Sequence, residues 1–323
     1  MRKNILVTGG AGFIGSSLVT DLLAQDHQLI IVDNFDDFYA RSIKEDNIKG
    51  FVNDPRVKFL EADIRDNALY EQQLELMDID VIIHLAAKAG VRPSINDPIV
   101  CQDVNVTGTQ QLLELARKKN IRQFVFASSS SVYGVNKNIP WSEDDHVLQP
   151  ISPYASTKVS GELLGHVYAH LFNIRFIALR FFTVYGPRQR PDLAIHKFAS
   201  AIYSGNPIDM YGDGSTFRDY TYIDDIVSGV RSAIDYDKTM YEIINLGNSK
   251  TISLIEMIRI LEETFEKKAL INRMPEQAGD VPATSASVEK ARHLLGYEPR
   301  TDFRSGIIRF KEWFDKKATR FFQ

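Results

Sequence analysis

A glycine-rich turn, TGGAGFIG at residues 8–15, connects a continuous apolar strand to a helical pattern near the start of the chain. Gly9 permits a tight turn, Gly12 lets the backbone approach a pyrophosphate, and Gly15 lets the helix pack closely on the strand. The N terminus of the helix would supply N–H donors to phosphate groups. The spacing therefore predicts a dinucleotide-binding β–α–β unit, and the alternative is a plain strand–turn–helix with incidental glycines.

Apolar runs alternate with helical patterns through the first half of the chain. The runs are continuous rather than alternating, which is typical of strands in a parallel sheet that is covered on both faces. This alternation predicts an α/β fold with a doubly wound, Rossmann-type parallel sheet. The runs are NILVTGG, QLIIVDN, VKFLEAD, DVIIHLAA, QFVFASS and IRFIALRFF.

The length of 323 residues favours two domains. After Gly186 the sequence becomes rich in turns, although TMYEIINLG reads as one further core strand. We expect a Rossmann domain at residues 1–182 plus 222–248, and a smaller mixed α/β domain for the substrate at residues 183–221 plus 249–323.

The composition excludes several classes of protein. A net charge of −4 gives no electrostatic case for binding nucleic acid. Cys101 is the only cysteine, so an intrachain disulfide or a cysteine-cluster metal site is impossible, and we expect no metal. No apolar run approaches the ~20 residues of a membrane span. The opening MRKNILVTGG reads as a strand and turn rather than a signal peptide, so we expect a cytoplasmic protein without a membrane partner.

Asp33 ends the second apolar run, 18 residues after Gly15. A carboxylate at this position accepts hydrogen bonds from the adenosine ribose and repels a 2′-phosphate, which favours NAD over NADP. Asp63 ends the third run, where it could either cap the next helix or lie near the adenine.

The segment SPYASTKVSGELL combines a helix start with two reactive side chains. Ser152 can cap the helix, and Pro153 suits its first turn. Tyr154 and Lys158 are four residues apart and share a face, so the ammonium is expected to lower the pKa of the phenol. Such a pair is common by chance, but it is informative downstream of a nucleotide-binding unit. The residues expected to form the buried stripe of this helix are Val159, Leu163 and Val167.

Together these motifs resemble the extended short-chain dehydrogenase/reductase family, and the resemblance covers nearly the whole chain. Further matches are DVIIHLAA, NVTGT and GDGSTFRDYTYIDD. The resemblance assigns Ser129, in the run ASSSSVYG, as a third catalytic group that hydrogen-bonds the reacting sugar hydroxyl. Tyr154 would remove the hydroxyl proton, and Lys158 would tune Tyr154 and hold the nicotinamide ribose. The NAD-binding residues implied are Gly9, Gly12, Phe13, Ile14, Gly15, Asp33, Asn34, Asp63, Ile64, Leu85, Ala86, Ala87, Asn105, Ser128, Tyr154, Lys158 and Phe181.

The serine run also narrows the reaction within the family. Sugar-nucleotide dehydratases of this family carry an acidic pair where this chain has Ser130 and Ser131, and UDP-glucuronate decarboxylases carry a glutamate in place of Ser131. Hydride transfer without elimination or decarboxylation is left, which is epimerisation. A solvated linker is the alternative for a serine run, but this one lies between a core strand and the active-site helix.

The segments LRFFTVYGPRQRPD and AAKAGVRPSINDP resemble the UDP-glucuronate 4-epimerases. The hydroxyl of Thr183 and the guanidinium of Arg190 suit a sugar carboxylate, whereas the alternative is that Arg188 and Arg190 are solvated loop residues. A departure from related epimerases is Gln277, where a second arginine for the diphosphate is usual. The substrate-binding residues implied are Arg92, Ser129, Ser130, Ser131, Tyr154, Thr183, Arg190, Lys197, Tyr211, Arg218 and Asp280.

The resemblance therefore implies an NAD-dependent isomerase that converts UDP-glucuronate to UDP-galacturonate through a 4-keto intermediate. One alternative is a 4-epimerase of UDP-glucose or UDP-N-acetylhexosamines. Another is a nucleotide-sensing protein that has lost its chemistry. The family also suggests a homodimer formed through the helices near residues 104–118 and 154–172.

Overall fold

The structure, a computed structural model, describes residues 1–145, 149–275 and 283–321, with side chains up to residue 317. Its largest element is a seven-stranded sheet in the order β10-β6-β5-β4-β1-β2-β3, in which every neighbouring pair is parallel. The strands of the chain are β1 Asn4–Thr8, β2 Gln28–Asp33, β3 Val57–Glu61, β4 Val81–His84, β5 Gln123–Ser129, β6 Arg175–Phe181, β7 Thr183–Tyr185, β8 Pro207–Tyr211, β9 Phe217–Tyr222, β10 Tyr241–Leu246, β11 Thr251–Ser253 and β12 Leu270–Met274.

Helices cover both faces of this sheet. Alternate residues of β1 point to opposite sides: Ile5 and Val7 belong to one apolar core cluster and Leu6 to the other. The predicted doubly wound parallel sheet is confirmed. The helices are α1 Phe13–Ala24, α2 Arg41–Ile48, α3 Val91–Asn96, α4 Pro98–Gln102, α5 Gly108–Lys119, α6 Pro153–Phe172, α7 Ala194–Ser204, α8 Ile223–Ile234, α9 Leu254–Phe265, α10 Glu289–Leu295 and α11 Phe303–Phe321.

Within the described ranges, two small sheets lie outside the seven-stranded one. A mixed sheet has the order β11-β9-β7, and a parallel pair joins β12 to β8. Helices α7, α9 and α11 pack together beside these strands around an aromatic cluster that contains His196, Phe265, Phe310 and Phe314. Between β9 and β10 the chain returns to the main sheet through α8, which packs on α1.

Helix α6 presents a different face to the sheet from the one predicted. Leu163 and Val167 are 57% and 45% exposed, so the prediction that they form a buried stripe is wrong, whereas Val159 is partly buried against the core. The sheet side of the helix carries Gly161 and Gly165, where an added Cβ would overlap the rings of Phe126 and Phe176. Small residues face the sheet because these rings leave no room for larger ones.

A search for membrane-spanning helices among the described residues finds none that has both the length and the apolar character required.

Candidate active site

A cavity of about 680 Å³ runs along the carboxyl edge of the main sheet. Residues that end or follow β1, β2, β4, β5 and β6 line it, and so does β9 of the small mixed sheet through Arg218. From β1 the chain first adds β2 and β3 on one side of the sheet and then continues with β4 on the other side, so the order of strands reverses between β1 and β4. Open parallel sheets bind ligands at such a switch point, outside the carboxyl ends of the strands.

The glycine turn forms one end of this cavity. Gly9 has φ of +73°, which a residue with a side chain rarely adopts, and it leads into Gly12 at the N-cap of α1. A Cβ at Gly15 would overlap the carbonyl oxygen of Gly9, so the turn can close on the helix only with glycine there. Gly9, Gly12, Phe13, Ile14 and Gly15 all line the cavity.

Asp33 holds the turn from the end of β2. Its carboxylate accepts hydrogen bonds from the backbone N–H groups of Ala11 (3.0 Å) and Phe35 (2.9 Å). Burial raises the pKa of Asp33, while these two bonds and the charge of Lys44 oppose the increase. Lys44 is 5% exposed, lines the same part of the cavity and donates to the carbonyl oxygen of Asp36 at 2.6 Å. Lys44 could not be predicted from the sequence, because a lysine in a polar helix is usually solvated.

The other residues that were predicted to bind NAD also lie on the cavity wall, with the exception of Asn105. Asp63 accepts from the Asn34 amide (2.9 Å) and from Arg65, and both Asn34 and Asp63 line the cavity. Asn105 is buried behind the wall. Its side-chain amide accepts a hydrogen bond from the Lys88 N–H and donates to the Lys88 carbonyl oxygen and to the Thr157 hydroxyl on α6. Asn105 therefore connects the loop after β4 to α6. The remaining lining residues of this predicted set are Ile64, Leu85, Ala86, Ala87, Ser128, Tyr154, Lys158 and Phe181.

Ser129 and Tyr154 meet at the centre of the cavity. Ser129 is the last residue of β5, and Tyr154 is the second residue of α6. The Ser152 hydroxyl caps this helix by accepting from the Ala155 N–H at 3.1 Å, as predicted, and the Tyr154 N–H donates to the Ser94 hydroxyl. The Ser129 hydroxyl lies close enough to the Tyr154 phenol to lower the pKa of that phenol. The capped start of α6 and the end of β5 thus bring the Tyr154 and Ser129 side chains together.

Lys158 lies one turn after Tyr154, with its Nζ 5.7 Å from the centre of the Tyr154 ring. The Nζ donates to the carbonyl oxygen of Ala127 at 2.7 Å. Burial lowers the pKa of Lys158 to about 8. Burial also raises the pKa of Tyr154, against the effects of the Ser129 hydrogen bond and the Arg190 charge. The prediction of a lowered pKa for Tyr154 is therefore wrong for this structure, because the loss of water around the phenol outweighs the opposing effects of Ser129 and Arg190.

The serine run continues from β5 into a short turn, and its hydroxyls have different surroundings. The Ser128 hydroxyl is 2% exposed and donates to Glu162 at 2.5 Å. Ser129 accepts from the N–H (3.2 Å) and hydroxyl (3.0 Å) of Ser131, which closes a short turn. Ser130 and Ser131 line the cavity. The linker alternative is excluded.

The loop after β7 contains two arginines that are both paired. Arg188 has φ of +70° and donates to the Ser16 carbonyl (2.8 Å) and the Thr20 hydroxyl (3.2 Å) of α1. Arg190 lines the cavity together with Thr183, and its guanidinium forms a two-point pair with Asp192 (3.0 and 2.9 Å). Neither arginine is a solvated loop residue.

The predicted uridine and diphosphate residues are more scattered. Arg92 and Arg218 line the cavity, and the Arg92 guanidinium lies 5.5 Å from the centre of the Tyr211 ring at the end of β8. Lys197 is exposed on α7 and is not part of the cavity wall. Asp280 and Gln277 lie outside the described residues. Among the residues that are described, no group of three or more His, Cys, Asp or Glu side chains could hold a metal ion.

Comparison with known proteins places this architecture in a family. A family model described as GDP-mannose 4,6 dehydratase matches residues 6–310. An uncharacterized protein of Methanocaldococcus jannaschii is 46% identical over 97% of this chain and 96% of its own length. The UDP-glucuronate 4-epimerase of Thermodesulfobacterium geofontis is 40% identical over 95% of each chain.

The solved structures include a close match as well. The UDP-glucuronic acid 4-epimerase of Bacillus cereus, in complex with UDP-glucuronic acid and NAD, superposes with a TM-score of 0.90 at 37% identity, over 97% of this chain and 99% of that one. The family model, the relatives and the solved structure each match nearly the whole length of this chain. The chain belongs to the GDP-mannose 4,6 dehydratase family of extended short-chain dehydrogenases/reductases.

Proposed function

We propose that this protein catalyses the NAD-dependent C4 epimerisation of a UDP-sugar, UDP-glucuronate to UDP-galacturonate, without loss of CO2. One observation carries the proposal: Tyr154 lies beside Ser129 and Lys158, in a cavity where Ser130 and Ser131 replace the acids of eliminating enzymes. The relative from Thermodesulfobacterium geofontis is a UDP-glucuronate 4-epimerase, and the Bacillus cereus structure contains UDP-glucuronic acid and NAD, which supports the proposal.

The residues of the cavity fit NAD. The closed glycine turn leaves backbone at the helix N terminus for a pyrophosphate, and Asp33 stands where a ribose would lie and where a 2′-phosphate would be repelled. Lys158 is the candidate for holding the nicotinamide ribose. When bound, NAD would accept a hydride from C4 of the sugar and return it to the opposite face.

In the proposed reaction, Ser129 hydrogen-bonds the C4 hydroxyl and Tyr154 takes its proton. Because burial raises the pKa of the Tyr154 phenol, the opposing effects of Ser129 and Arg190 are needed to make its deprotonation accessible. Tyr154 then returns the proton to the same oxygen when C4 is reduced. No acid is required at Ser130 or Ser131, since no water leaves.

The 4-keto uronate is a β-keto acid and is prone to losing CO2. Hydrogen bonds that keep the negative charge on the carboxylate would suppress this loss. We assign this task to Thr183 and Arg190, which lie on the same stretch of the cavity wall. Arg92 and Arg218 are assigned to the diphosphate, Tyr211 to the uracil, and Asp280 to the uridine ribose.

A neutral UDP-hexose is the second candidate substrate, and the Arg190–Asp192 pair favours it. The guanidinium already holds a carboxylate from its own loop, so a sugar without a carboxylate would leave this pair intact. A uronate would have to displace Asp192 or bind beside it.

We further propose the division into a cofactor domain, residues 1–182 plus 222–248, and a substrate domain, residues 183–221 plus 249–323. The membership of β6 and β10 in the main sheet, and of β7, β9 and β11 in a separate one, supports this division. A cytoplasmic location is part of the proposal, because the single cysteine, Cys101, is a buried free thiol.

We also propose that the protein is a homodimer. Exposed apolar side chains form a stripe along α6, at Leu163, Val167 and Leu171, and Ile99 on the neighbouring α4 is 80% exposed. A patch of this kind on one side of a protein is typical of an interface. A second copy would cover the same face on both chains.

Proton NMR of the product formed from UDP-glucuronate tests the reaction. We expect UDP-galacturonate from the wild-type protein, and a loss of turnover of 100-fold or more for Tyr154→Phe, on the order of the effect of a general base. A UDP-pentose would identify a decarboxylase, and turnover of UDP-glucose alone would favour the neutral substrate. Full activity of Tyr154→Phe would remove the tyrosine from its role.

A further inference from the structure

A buried ion pair lies directly behind the proposed catalytic residues. Glu162 on α6 and Arg180 on β6 have side chains that are 4% and 5% exposed, and they form two parallel hydrogen bonds of 2.9 and 2.8 Å. Charged side chains are rarely buried to this extent, because the loss of hydration can exceed the attraction between them. Replacing such a pair with apolar residues often leaves stability unchanged, so stability alone does not explain its presence.

The Glu162 carboxylate has a third partner that connects it to the site. The hydroxyl of Ser128, which precedes the proposed catalytic Ser129, donates to the Glu162 Oε1 atom at 2.5 Å. Glu162 is also one helical turn after Lys158 and two turns after Tyr154. One carboxylate therefore joins the end of β5 that carries Ser129 to the helix that carries Tyr154 and Lys158.

This connection matters because the other contacts of α6 with the sheet at this point are apolar. Gly161 and Gly165 bring the helix backbone close to the rings of Phe126 and Phe176. Such contacts are non-directional, whereas hydrogen bonds to a carboxylate are directional. Arg180 is itself fixed, since its guanidinium lies 4.7 Å from the centre of the Tyr133 ring, and the Tyr133 hydroxyl donates to Asn245 on β10.

We propose that Glu162 is a positioning residue that sets the register of Tyr154 and Lys158 on α6 relative to Ser129 on β5. The inference rests on the roles proposed above for these three residues. It adds a residue that does not touch the cavity: Glu162 acts through Ser128 and Arg180.

Glu162 has an electrostatic effect in addition to its geometric one. Burial lowers the pKa of Lys158, while Cys101 on α4 and Glu162 oppose this decrease. Tyr154 on the same helix and His84 on β4 also lie near Lys158, and burial and the Lys158 charge both lower the pKa of His84. Removing the Glu162 charge leaves Arg180 as a nearby cation, so the Lys158 ammonium would lose its proton at lower pH.

The test compares kcat, KM and the pH profile of Glu162→Gln with those of the wild-type protein on UDP-glucuronate. We expect kcat to fall by about 10- to 100-fold, because a misplacement of about 1 Å can have this effect. KM should change less than about 2-fold, and the alkaline limb of the kcat profile should move to lower pH. Glu162→Asp, which keeps the charge but is shorter, should recover the position of the alkaline limb and only part of kcat.

Because Glu162→Gln leaves Arg180 buried and unpaired, the variant could fail to fold. The double variant Glu162→Met/Arg180→Met removes both charges and keeps the volume, and it should fold while showing the same loss of kcat. The matched control is Asp225→Asn on α8, a buried carboxylate that accepts from the N–H groups of Arg300 and Thr301. It should lower Tm without changing kcat per folded molecule.

A folded double variant with wild-type kcat and pH profile would overturn the positioning role and leave the proposed function intact. A wild-type protein that does not convert UDP-glucuronate would instead contradict the proposed function, which separates the two failures.

Discussion

Arg188 and Arg190 are two residues apart, yet each has a separate structural task. Arg188 fastens its loop to α1, the helix that begins at the glycine turn, through the Ser16 carbonyl and the Thr20 hydroxyl. Its left-handed backbone costs about 1 kcal/mol and persists because these contacts hold it. Arg190 lies at the cavity wall, and in the proposed function it exchanges the Asp192 carboxylate for that of the substrate.

The first prediction concerns this exchange. Arg190→Lys keeps the charge but removes the two-point geometry, and a hydrogen bond to a charged group is worth roughly 1.5–3 kcal/mol. We expect the affinity for UDP-glucuronate to fall by about 10- to 100-fold, while that for UDP-glucose changes less than about 2-fold. Isothermal titration of the NAD-loaded protein with the two sugars measures the difference. Asp192→Asn is the matched variant, and it should bind UDP-glucuronate more tightly because Arg190 is released. Equal weakening for both sugars would place Arg190 at the diphosphate.

The second prediction concerns Lys158 and pH. Its pKa is lowered from 10.5 to about 8, so the folded state carries the ammonium at a cost that is greatest below pH 8. Removing the ammonium is worth about 1.4 kcal/mol per pKa unit, and losing the hydrogen bond to Ala127 offsets part of this. The free energy of unfolding of Lys158→Met should therefore be about 1–2 kcal/mol higher than that of the wild type at pH 7. Tm should rise by a few degrees while activity is lost.

The gain should shrink as pH increases from 7 to 10, because the folded wild-type protein then loses the proton that was costly to keep. Thermal unfolding at pH 7, 8.5 and 10 measures it. Lys58→Met, an exposed lysine on β3, is the control and should show a Tm difference that does not vary with pH. An unchanged or lower Tm for Lys158→Met at pH 7 would contradict a costly buried ammonium.

At the scale of single elements, α6 shows both the strength and the limit of the sequence pattern. The start of the helix was predictable, because Ser152 and Pro153 have local roles that depend only on their neighbours. The buried face was not, because large apolar residues usually mark such a face, and here they do not. The sheet side instead carries glycines, and the reason, the rings of Phe126 and Phe176, comes from distant strands.

The same limit applies to the side-chain partners of the site. Gly9, Gly12 and Gly15 could be predicted because turn, helix and phosphate contact all lie within one short segment. The bonds of Glu162 to Ser128 and Arg180, and the place of Lys44 beside Asp33, join segments that are far apart in the chain. No local spacing encodes such pairs, so they became visible only when the fold brought the segments together.

At the scale of the whole molecule, the fold separates the tasks of its surfaces. Parallel strands send all their carboxyl ends to one edge, which creates the cavity, and they leave the outer side of α6 free of any role in it. The apolar stripe on that outer side, Leu163, Val167 and Leu171, is solvent-exposed in a single chain. Exposed apolar area of this kind is stabilised when a second copy covers it, at roughly 25 cal/mol per Å² removed from water.

The third prediction follows from this exposed stripe. Leu163→Glu should convert a dimer into a monomer, because a two-fold interface would bury the new carboxylate on both chains without a partner. Light scattering coupled to size-exclusion chromatography at micromolar concentration should show the wild-type mass at twice 36.6 kDa and the variant at that mass. Ile308→Glu on α11, an equally apolar position that is 47% exposed on another helix, is the matched control and should stay dimeric. A monomeric wild-type protein would contradict the homodimer itself, whereas a dimeric Leu163→Glu would move the interface to another face. Since α6 carries Tyr154 and Lys158 on its inner side, activity measured at the same concentrations would also show whether covering the outer side affects the site.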